Sequence, residues 1–271
     1  MGIINQLQSG GFRFNKRLGQ NFIADEGFLE SIVSELKISR GDCVVEVGAG
    51  AGTLTQVLAQ TGANVVAYEI DRRLETILKE KLIGFSNVEL LFKDAMSADI
   101  SLEEYTIAAN IPYYITTPLI MKFLKDQRCV RICVLVQADV AKRITAKPGT
   151  KEFGALSVAC QVQADCKILR LVPRGLFIPR PQVDSAFVVL TKRQGSDSWS
   201  QNNDTLEKLL KGLFAARRKT VLNGLSQTFG FEKTVAREIL DKAGIPETAR
   251  PEQLSVDKFV KLVSELVPFL T

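Results

Sequence analysis

The chain has 271 residues, of which 46% are hydrophobic and 24% are charged, and its formal net charge is +5. This composition is typical of a globular protein with one large and one small domain. The absence of histidine excludes Ser-His-Asp and Cys-His catalysis and the usual zinc sites, so we expect no metal.

The cysteines and the apolar runs indicate the cellular compartment in which the protein is expected. Five cysteines are present, an odd number, and no pair has CxxC spacing, which favours free thiols in a reducing cytoplasm. No apolar run approaches the ~20 residues of a membrane span, and the N-terminus has no signal-peptide pattern. We therefore expect a cytoplasmic protein without membrane contact.

Apolar runs alternate with helical periods from residue 43 to residue 137. The pattern predicts strands within 43–50, 64–71, 87–95, 105–113 and 129–137, with helices at 53–61, 72–82 and 117–125 between them. A helix at 27–37 precedes this region, and strands at 166–172 and 185–192 follow it. Such alternation favours an α/β fold in which helices cover both faces of a largely parallel sheet.

The composition changes after the last predicted strand. Residues 193–203 are polar and turn-rich, which predicts a linker, and residues 204–270 show only helical periodicity. We therefore expect an α/β domain over 1–194, beginning with a basic arm, and a small all-helical domain over 195–271.

A glycine-rich turn, "VGAGAG", joins the first strand of the alternating region to a helix. Its glycines are Gly48, Gly50 and Gly52, whereas a dinucleotide fingerprint would need its third glycine at position 53, which is Thr53. The spacing instead resembles the first motif of S-adenosylmethionine-dependent methyltransferases. Without Cβ atoms, the backbone approaches a ligand closely and turns tightly into the helix.

Polar side chains mark the ends of the next three predicted strands. They are Glu69, Asp94 and Asn110. The carboxyl edge of an open α/β sheet is where such folds bind ligands. Glu69 is placed to accept the ribose hydroxyl protons of the cofactor, Asp94 to meet its adenine amine, and Asn110 to make a further cofactor contact.

The segment "NIPYYI" (110–115) follows the fourth strand of the alternating region. The side-chain oxygen of Asn110 and the carbonyl of Ile111 each offer an acceptor to an amine hydrogen, and Pro112 stiffens the turn. Tyr113 offers a ring face to a base, a contact worth ~1–3 kcal/mol. We expect Phe177, in "FIPRP", to cover the opposite face of the same base.

Seven motifs together resemble the ribosomal RNA adenine dimethyltransferases that act on the small subunit. They are "LGQNFI" (18–23), "EVGAGAG" (46–52), "YEID" (68–71), "KDA" (93–95), "NIPYYITTP" (110–118), "FIPRPQVDS" (177–185) and "FAARRKTVLNGL" (214–225). The resemblance implies a Rossmann-like class I methyltransferase sheet. It also implies dimethylation of two adjacent adenosines in the 3′-terminal hairpin, and cofactor contacts by Gln20, Asn21 and the Ile23 backbone.

Basic residues cluster at three places. One cluster contains Arg13, Lys16 and Arg17, one Lys142, Arg143, Lys147 and Lys151, and one Arg217, Arg218 and Lys219. Such clusters favour an RNA partner, and the family resemblance implies small-subunit RNA within an assembling subunit. We expect a monomer that binds a target adenine flipped out of its helix.

Three alternatives remain open at the level of sequence. A macrolide-resistance methylase shares the catalytic motifs but acts on large-subunit RNA. A glutamine-amine methyltransferase would carry two prolines, Asn-Pro-Pro-Tyr, where this chain has "NIPY". A non-catalytic nucleic-acid-binding factor of the same fold would be favoured by a degraded cofactor loop, whereas this loop is intact.

Overall fold

The computed structural model of the protein describes residues 14, 19–23, 25–193 and 203–270. Its strands are β1 (Phe22–Ile23), β2 (Cys43–Val47), β3 (Asn64–Tyr68), β4 (Val88–Leu91), β5 (Tyr105–Asn110), β6 (Cys129–Gln137), β7 (Ala164–Val172), β8 (Phe177–Ile178) and β9 (Ser185–Lys192). Its α-helices are α1 (Glu26–Leu36), α2 (Thr53–Gln60), α3 (Glu75–Lys81), α4 (Thr116–Lys125), α5 (Ala138–Ile144), α6 (Ala155–Gln161), α7 (Asn203–Ala215), α8 (Val221–Phe229), α9 (Lys233–Ala243) and α10 (Val256–Leu266).

Seven strands form one sheet in the order β4-β3-β2-β5-β6-β9-β7. β2 pairs in parallel with both β3 and β5, whereas β9 runs antiparallel to β6. From β2 the chain builds outward through β3 and β4, and it then returns to add β5 on the other side of β2. The strand order therefore reverses between β2 and β5, the point where open α/β sheets place their ligands. The predicted fold class is confirmed.

The strands end earlier than the sequence pattern predicts. β3 ends at Tyr68, so Glu69 is the first residue beyond it, and β4 ends at Leu91, three residues before Asp94. Asn110 is the last residue of β5. Glu69 and Asp94 thus lie in the turns at the sheet edge, whereas Asn110 is still paired within the sheet, opposite Leu135 of β6.

Helix α1 is set by local signals that the sequence carries. The side chain of Asp25 caps its first turn by accepting a hydrogen bond from the Phe28 N–H, and Lys37, with φ of 53°, ends it. Leu29, Ile32, Val33 and Leu36 form its buried face, the spacing of one helical stripe. The predicted helix at 27–37 is present with its start one residue earlier.

The chain forms two compact units, residues 1–141 with 167–191 and residues 142–166 with 192–271. The sequence-based division at 194/195 placed residues 142–166 in the first domain, whereas they belong to the second unit, which they join through α6. Helices of seven residues are too short for a clear helical period, so the sequence pattern left this stretch without an element. The predicted linker lies mostly outside the described residues.

The second unit has its own hydrophobic core. Its described helices α6 to α10 bury a continuous set of apolar side chains, in which the rings of Phe214 and Phe259 stack with centroids 5.9 Å apart. The helical character predicted for residues 204–270 is therefore observed in the part of that range the structure describes. None of the described helices has both the length and the apolar character that crossing a bilayer requires.

Candidate functional site

A cavity of about 320 Å³ opens in the first unit where β2, β3 and β5 end. Eight of the sequence-predicted cofactor residues line it, namely Gln20, Asn21, Ile23, Gly48, Gly50, Glu69, Asp94 and Asn110. Ile111 and Pro112 line it as well, whereas Gly52, Tyr113 and Phe177 do not. The structure thus gathers most of the predicted residues at one place, the reversal point of the sheet.

The glycines of the loop after β2 have different surroundings. A Cβ atom on Gly50 would lie 2.7 Å from Cε1 of Phe22, so only glycine lets β1 approach the loop. Gly52, with φ of 75°, starts α2, and a Cβ there would lie 3.0 Å from Cδ2 of Leu78 in α3. Gly50 therefore shapes the cavity wall, whereas Gly52 serves the packing of α2 against α3.

Glu69 is held in place by backbone donors on both of its oxygens. Oε2 accepts a hydrogen bond from the Gly50 N–H at 2.8 Å, and Oε1 accepts one from the Asp71 N–H at 2.8 Å. Burial raises the pKa of Glu69, and these N–H donors oppose that rise. The carboxylate is thus oriented in the cavity wall and ties the glycine loop to the turn after β3.

Glu46 is a second buried carboxyl group in the wall, and it was not singled out from the sequence. It lies inside β2, is only 1% exposed, and its Oε2 has no hydrogen-bond partner within the described residues. Burial, reinforced by the nearby charge of Glu69, raises its pKa to about 8. The signal that could have revealed it is an acidic residue inside an otherwise apolar strand.

The loop that carries Asp94 is held from outside by Lys122 of α4. The Lys122 ammonium donates hydrogen bonds to the backbone carbonyls of Ala95, Met96 and Ala98 at 2.9, 2.8 and 3.0 Å. Oδ1 of Asp94 accepts a bond from the Met96 N–H at 2.8 Å. Three bonds to one cation fix the path of this loop, so Lys122 positions Asp94 without lining the cavity itself.

Asn110 connects the end of β5 to the N-terminal segment. Its Nδ2 donates a hydrogen bond to the Asn21 carbonyl at 3.1 Å, an orientation assigned from this contact. The side-chain oxygen of Asn110 then remains as an acceptor. Beside it, a Cβ on Gly19 would lie 2.7 Å from Cβ of Pro112, so the segment packs closely on the turn after β5.

The two rings expected to enclose a base lie outside the cavity wall. The Tyr113 hydroxyl is hydrogen-bonded to the Ser185 hydroxyl at 2.7 Å. Phe177 is 2% exposed and belongs to the hydrophobic core, where β8 pairs with β1 so that Phe177 lies opposite Ile23. Its backbone is therefore next to a wall residue, but its ring is packed inside.

Gln20, in the N-terminal segment of the site, contacts the turn after β3. Its Nε2 donates a hydrogen bond to Oδ2 of Asp71 at 2.8 Å. Arg73 also donates to Asp71, which lowers the pKa of that carboxyl. Asp71 therefore stays ionised and anchors the N-terminal segment against the cavity wall.

The six basic residues predicted to contact RNA are all exposed in the second unit. They are Lys142, Arg143, Lys147, Arg217, Arg218 and Lys219. Arg217 donates hydrogen bonds to the carbonyls of Lys151 and Phe153 at 3.3 and 3.0 Å, so it also fastens the loop before α6. The N-terminal cluster of Arg13, Lys16 and Arg17 lies outside the described residues.

Comparison with known proteins gives consistent matches along the chain. A family model for ribosomal RNA adenine dimethylases matches residues 11–267. A Clostridioides difficile protein named ribosomal RNA small subunit methyltransferase A is 42% identical over 262 residues, which cover 93% of this chain and 91% of that protein.

Two solved structures match nearly the whole chain. A dimethyladenosine transferase from Plasmodium falciparum has a TM-score of 0.79 and 27% identity, covering 90% of this chain and 96% of its own. The 23S rRNA methyltransferase ErmE has a TM-score of 0.72 and 25% identity, covering 91% and 99%. The sheet and its cavity thus define a Rossmann-like methyltransferase fold. The chain belongs to the ribosomal RNA adenine dimethylase family.

The raised pKa of Glu46 predicts a pH-dependent stability. The folded protein binds this proton more tightly than the unfolded chain, so the free energy of unfolding should fall as pH rises from the ordinary value of 4.5 through about 8. Chemical denaturation at a series of pH values measures this. Glu46→Gln should flatten the profile, whereas Glu89→Gln, at an exposed position on β4, should leave it unchanged. Parallel profiles for all three proteins would contradict the assignment.

The bonds of Lys122 predict an effect on the cofactor that the fold implies, S-adenosylmethionine. Lys122→Met should weaken its binding about tenfold, because losing these bonds frees the loop that carries Asp94. Isothermal titration calorimetry gives the dissociation constant. Lys79→Met, which removes an exposed cation paired within α3, serves as the control. An unchanged dissociation constant in Lys122→Met, with the variant folded, would rule out the positioning role.

Proposed function

We propose that this protein transfers methyl groups from S-adenosylmethionine to the exocyclic amines of two adjacent adenosines in the 3′-terminal hairpin of small-subunit ribosomal RNA. The observation that carries the proposal is the orientation of Asn110. Because its amide nitrogen donates to the Asn21 carbonyl, its oxygen is left as an acceptor at the cavity wall, which is the group that an amine nucleophile needs. The choice of small-subunit RNA rests on the name of a similar family member, ribosomal RNA small subunit methyltransferase A.

The charge of the cavity fits a cationic cofactor. Glu69 and Asp94 line it as acidic groups, whereas Glu46, whose pKa is raised to about 8, adds a carboxyl group that is largely protonated at neutral pH. Carboxylates favour a nearby positive charge and would repel the pyrophosphate of a dinucleotide. S-adenosylmethionine supplies a methyl group bound to a positively charged sulfonium, which makes that methyl group electrophilic.

The residues that would hold the cofactor lie around the wall. Glu69 would accept the ribose hydroxyl protons, and Asp94 would accept from the adenine amine. Gly48 and Gly50 allow the backbone to come close, and Gln20, Asn21 and the Ile23 backbone would enclose the methionine end. Ile70 was not singled out from the sequence, but it lines the cavity and is 57% exposed. An exposed apolar side chain there suits an adenine face.

The acceptor half of the site activates a weak nucleophile. The nitrogen lone pair of an adenine amine is delocalised into the ring. The Asn110 side-chain oxygen and the Ile111 carbonyl would each accept a hydrogen bond from the amine, which favours a tetrahedral nitrogen whose lone pair points at the methyl group. As the N–C bond forms, the S–C bond breaks to leave S-adenosylhomocysteine, and the methylated nitrogen loses its extra proton to solvent. Pro112 keeps Ile111 extended, so its carbonyl stays in place. Positioning of this kind supplies catalysis without an imidazole base.

Tyr113 and Phe177 remain our proposed stacking partners for the target adenine. The bond to Ser185 fixes the Tyr113 ring at the turn after β5. The β1–β8 pairing places the backbone of Phe177 beside Ile23 of the cavity wall, and stacking on the base would require its side chain to leave the core.

The RNA would be bound by the basic residues of the second unit, together with the N-terminal basic residues. Lys142, Arg143, Lys147, Arg217, Arg218 and Lys219 are the proposed contacts. The proposed partner is the assembling small subunit in the cytoplasm, approached by a monomer. The likeness to ErmE, a 23S rRNA methyltransferase, makes action on large-subunit RNA the second candidate.

A methyl-transfer assay separates the candidates. The protein is incubated with labelled S-adenosylmethionine and either undermethylated small subunits or naked large-subunit RNA, and the label is mapped. Dimethyladenosine in the small-subunit 3′ hairpin is expected. Label only in large-subunit RNA would favour the second candidate, and no label in either, with the cofactor bound, would favour a binding role.

The two halves of the site make separable predictions. Asn110→Ala should lower kcat at least about hundredfold, since it removes an acceptor used in the reaction, with little change in S-adenosylmethionine affinity. Glu69→Ala should instead weaken the binding of S-adenosylmethionine, with little change in RNA affinity. Single-turnover rates and calorimetry on both variants test this. Full activity of Asn110→Ala would contradict the proposed mechanism.

The RNA surface is best tested at Arg218, because replacing Arg217 would also release the loop before α6. Arg218→Glu should weaken small-subunit binding and reduce the slope of log affinity against log salt by about one for each phosphate that is no longer neutralised. Lys233→Glu, an exposed change at the start of α9, is the control. An unaltered slope in Arg218→Glu would show that Arg218 does not contact the RNA.

A further inference from the structure

Tyr114 combines two properties that are unusual together. It lines the cavity, and its side chain is 64% exposed. Apart from Ile70, the other exposed large apolar side chains of the described residues lie away from the cavity, namely Ile83, Leu171, Val183 and Leu270. An exposed ring at the rim of a binding cavity marks a contact surface for a further ligand group.

Tyr113 and Tyr114 face different directions. Both lie in the 3₁₀ turn Tyr113–Ile115, in which three residues complete one turn and successive side chains point about 120° apart. Tyr113 is half-buried, with its hydroxyl bonded to Ser185. A single base therefore cannot lie flat against both rings, and the second ring is available for another group.

We propose that Tyr114 forms a stacking subsite for the nucleotide next to the target adenosine in the RNA strand. The inference rests on the proposed function, since it concerns the same RNA. A flipped adenosine leaves its neighbour outside the cavity with an unstacked face. A tyrosine ring at the rim offers that face a partner, and base–aromatic stacking tolerates any base because every base has a π-face.

Lys93 indicates that the ring serves the RNA and not the cofactor. It is exposed and lines the same cavity. S-adenosylmethionine carries no phosphate, whereas each nucleotide of an RNA strand brings one. An exposed ring and an exposed ammonium on the wall of one cavity match a base together with a phosphate of the strand.

The proposed subsite would be occupied differently for each of the two adjacent adenosines of the substrate. When one of them occupies the cavity, the nucleotide on one side of it is the other adenosine. The ring thus stacks on the other adenosine in one register and on the nucleotide that flanks the pair in the other, so the two registers use different stacking partners. Loss of the ring should change the relative initial rates at the two positions.

The experiment uses undermethylated small subunits and four variants. Tyr114→Ala removes the ring, Tyr114→Leu keeps an apolar side chain without it, and Tyr114→Phe keeps the ring. Ile83→Ala is the matched control, an exposed apolar residue away from the cavity. The Michaelis constant for subunits should rise about tenfold in the Ala and Leu variants, a change within the range of one base–ring stack. It should stay near the unmodified value in the Phe and Ile83 variants, and the dissociation constant of S-adenosylmethionine should stay unchanged in all four.

Other results would overturn the inference. Weaker S-adenosylmethionine binding in Tyr114→Ala would assign the ring to the cofactor, and an unchanged Michaelis constant in Tyr114→Leu would show that any apolar side chain serves there. An unchanged Michaelis constant in Tyr114→Ala would exclude the contact. Lys93→Gln should lower the salt slope of subunit binding by about one, and an unchanged slope would exclude the phosphate. Failure of the unmodified protein to methylate small subunits would instead count against the proposed function.

Discussion

One buried side chain, Glu69, links the loops that surround the cavity. Glu69 accepts hydrogen bonds from the backbone of Gly50 on one side and of Asp71 on the other, and Asp71 in turn accepts from Gln20. This chain of bonds runs from the loop after β2 to the N-terminal segment. Burial raises the pKa of Glu69, and the N–H donors of Asp71 and Gly50 oppose that rise. The same group that would bind the ribose is thus a structural anchor of its own site.

The sheet topology places the two halves of the chemistry side by side. β2 and β5 are adjacent parallel strands, and one ends in the glycine loop while the other ends in Asn110. A donor held by the first half and an acceptor held by the second therefore meet across neighbouring strands, on a rigid scaffold. Catalysis by positioning depends on such rigidity more than on any titrating base, which agrees with a chain that contains no histidine.

Sequence reasoning reached the fold and the outline of the site because both depend on local patterns. The alternation of strands and helices and the glycine spacing are visible in the chain, and they placed Glu69, Asp94 and Asn110 at one edge. The contributions of Lys122 and Glu46 depend on tertiary contacts. Lys122 acts across 24 to 27 residues of sequence, and no spacing rule connects a lysine on one helix to carbonyls in a distant loop.

The aromatic residues are a second case in which the sequence pattern does not show the tertiary contacts. The motif drew attention to Tyr113, but the structure fastens Tyr113 to Ser185 and leaves the ring of Tyr114 at the rim. Two adjacent tyrosines look equivalent in a sequence, and only the 3₁₀ turn distinguishes them. Residues 142–166 were placed with the first domain by chain order, whereas they pack with the helical unit, and packing of this kind is not visible in the order of the chain.

The N-terminal segment touches both halves of the site within three residues. Gly19 packs on Pro112, Gln20 bonds to Asp71, and Asn21 accepts from Asn110. Dimethylating two adenosines requires four transfers, and spent cofactor must be exchanged between them. Under the proposed function, a segment that encloses the cofactor and also packs on the acceptor turn would link exchange of the cofactor to the binding of the base. Retention of the RNA between successive methylations would then depend on this short stretch as well as on the RNA-binding surface.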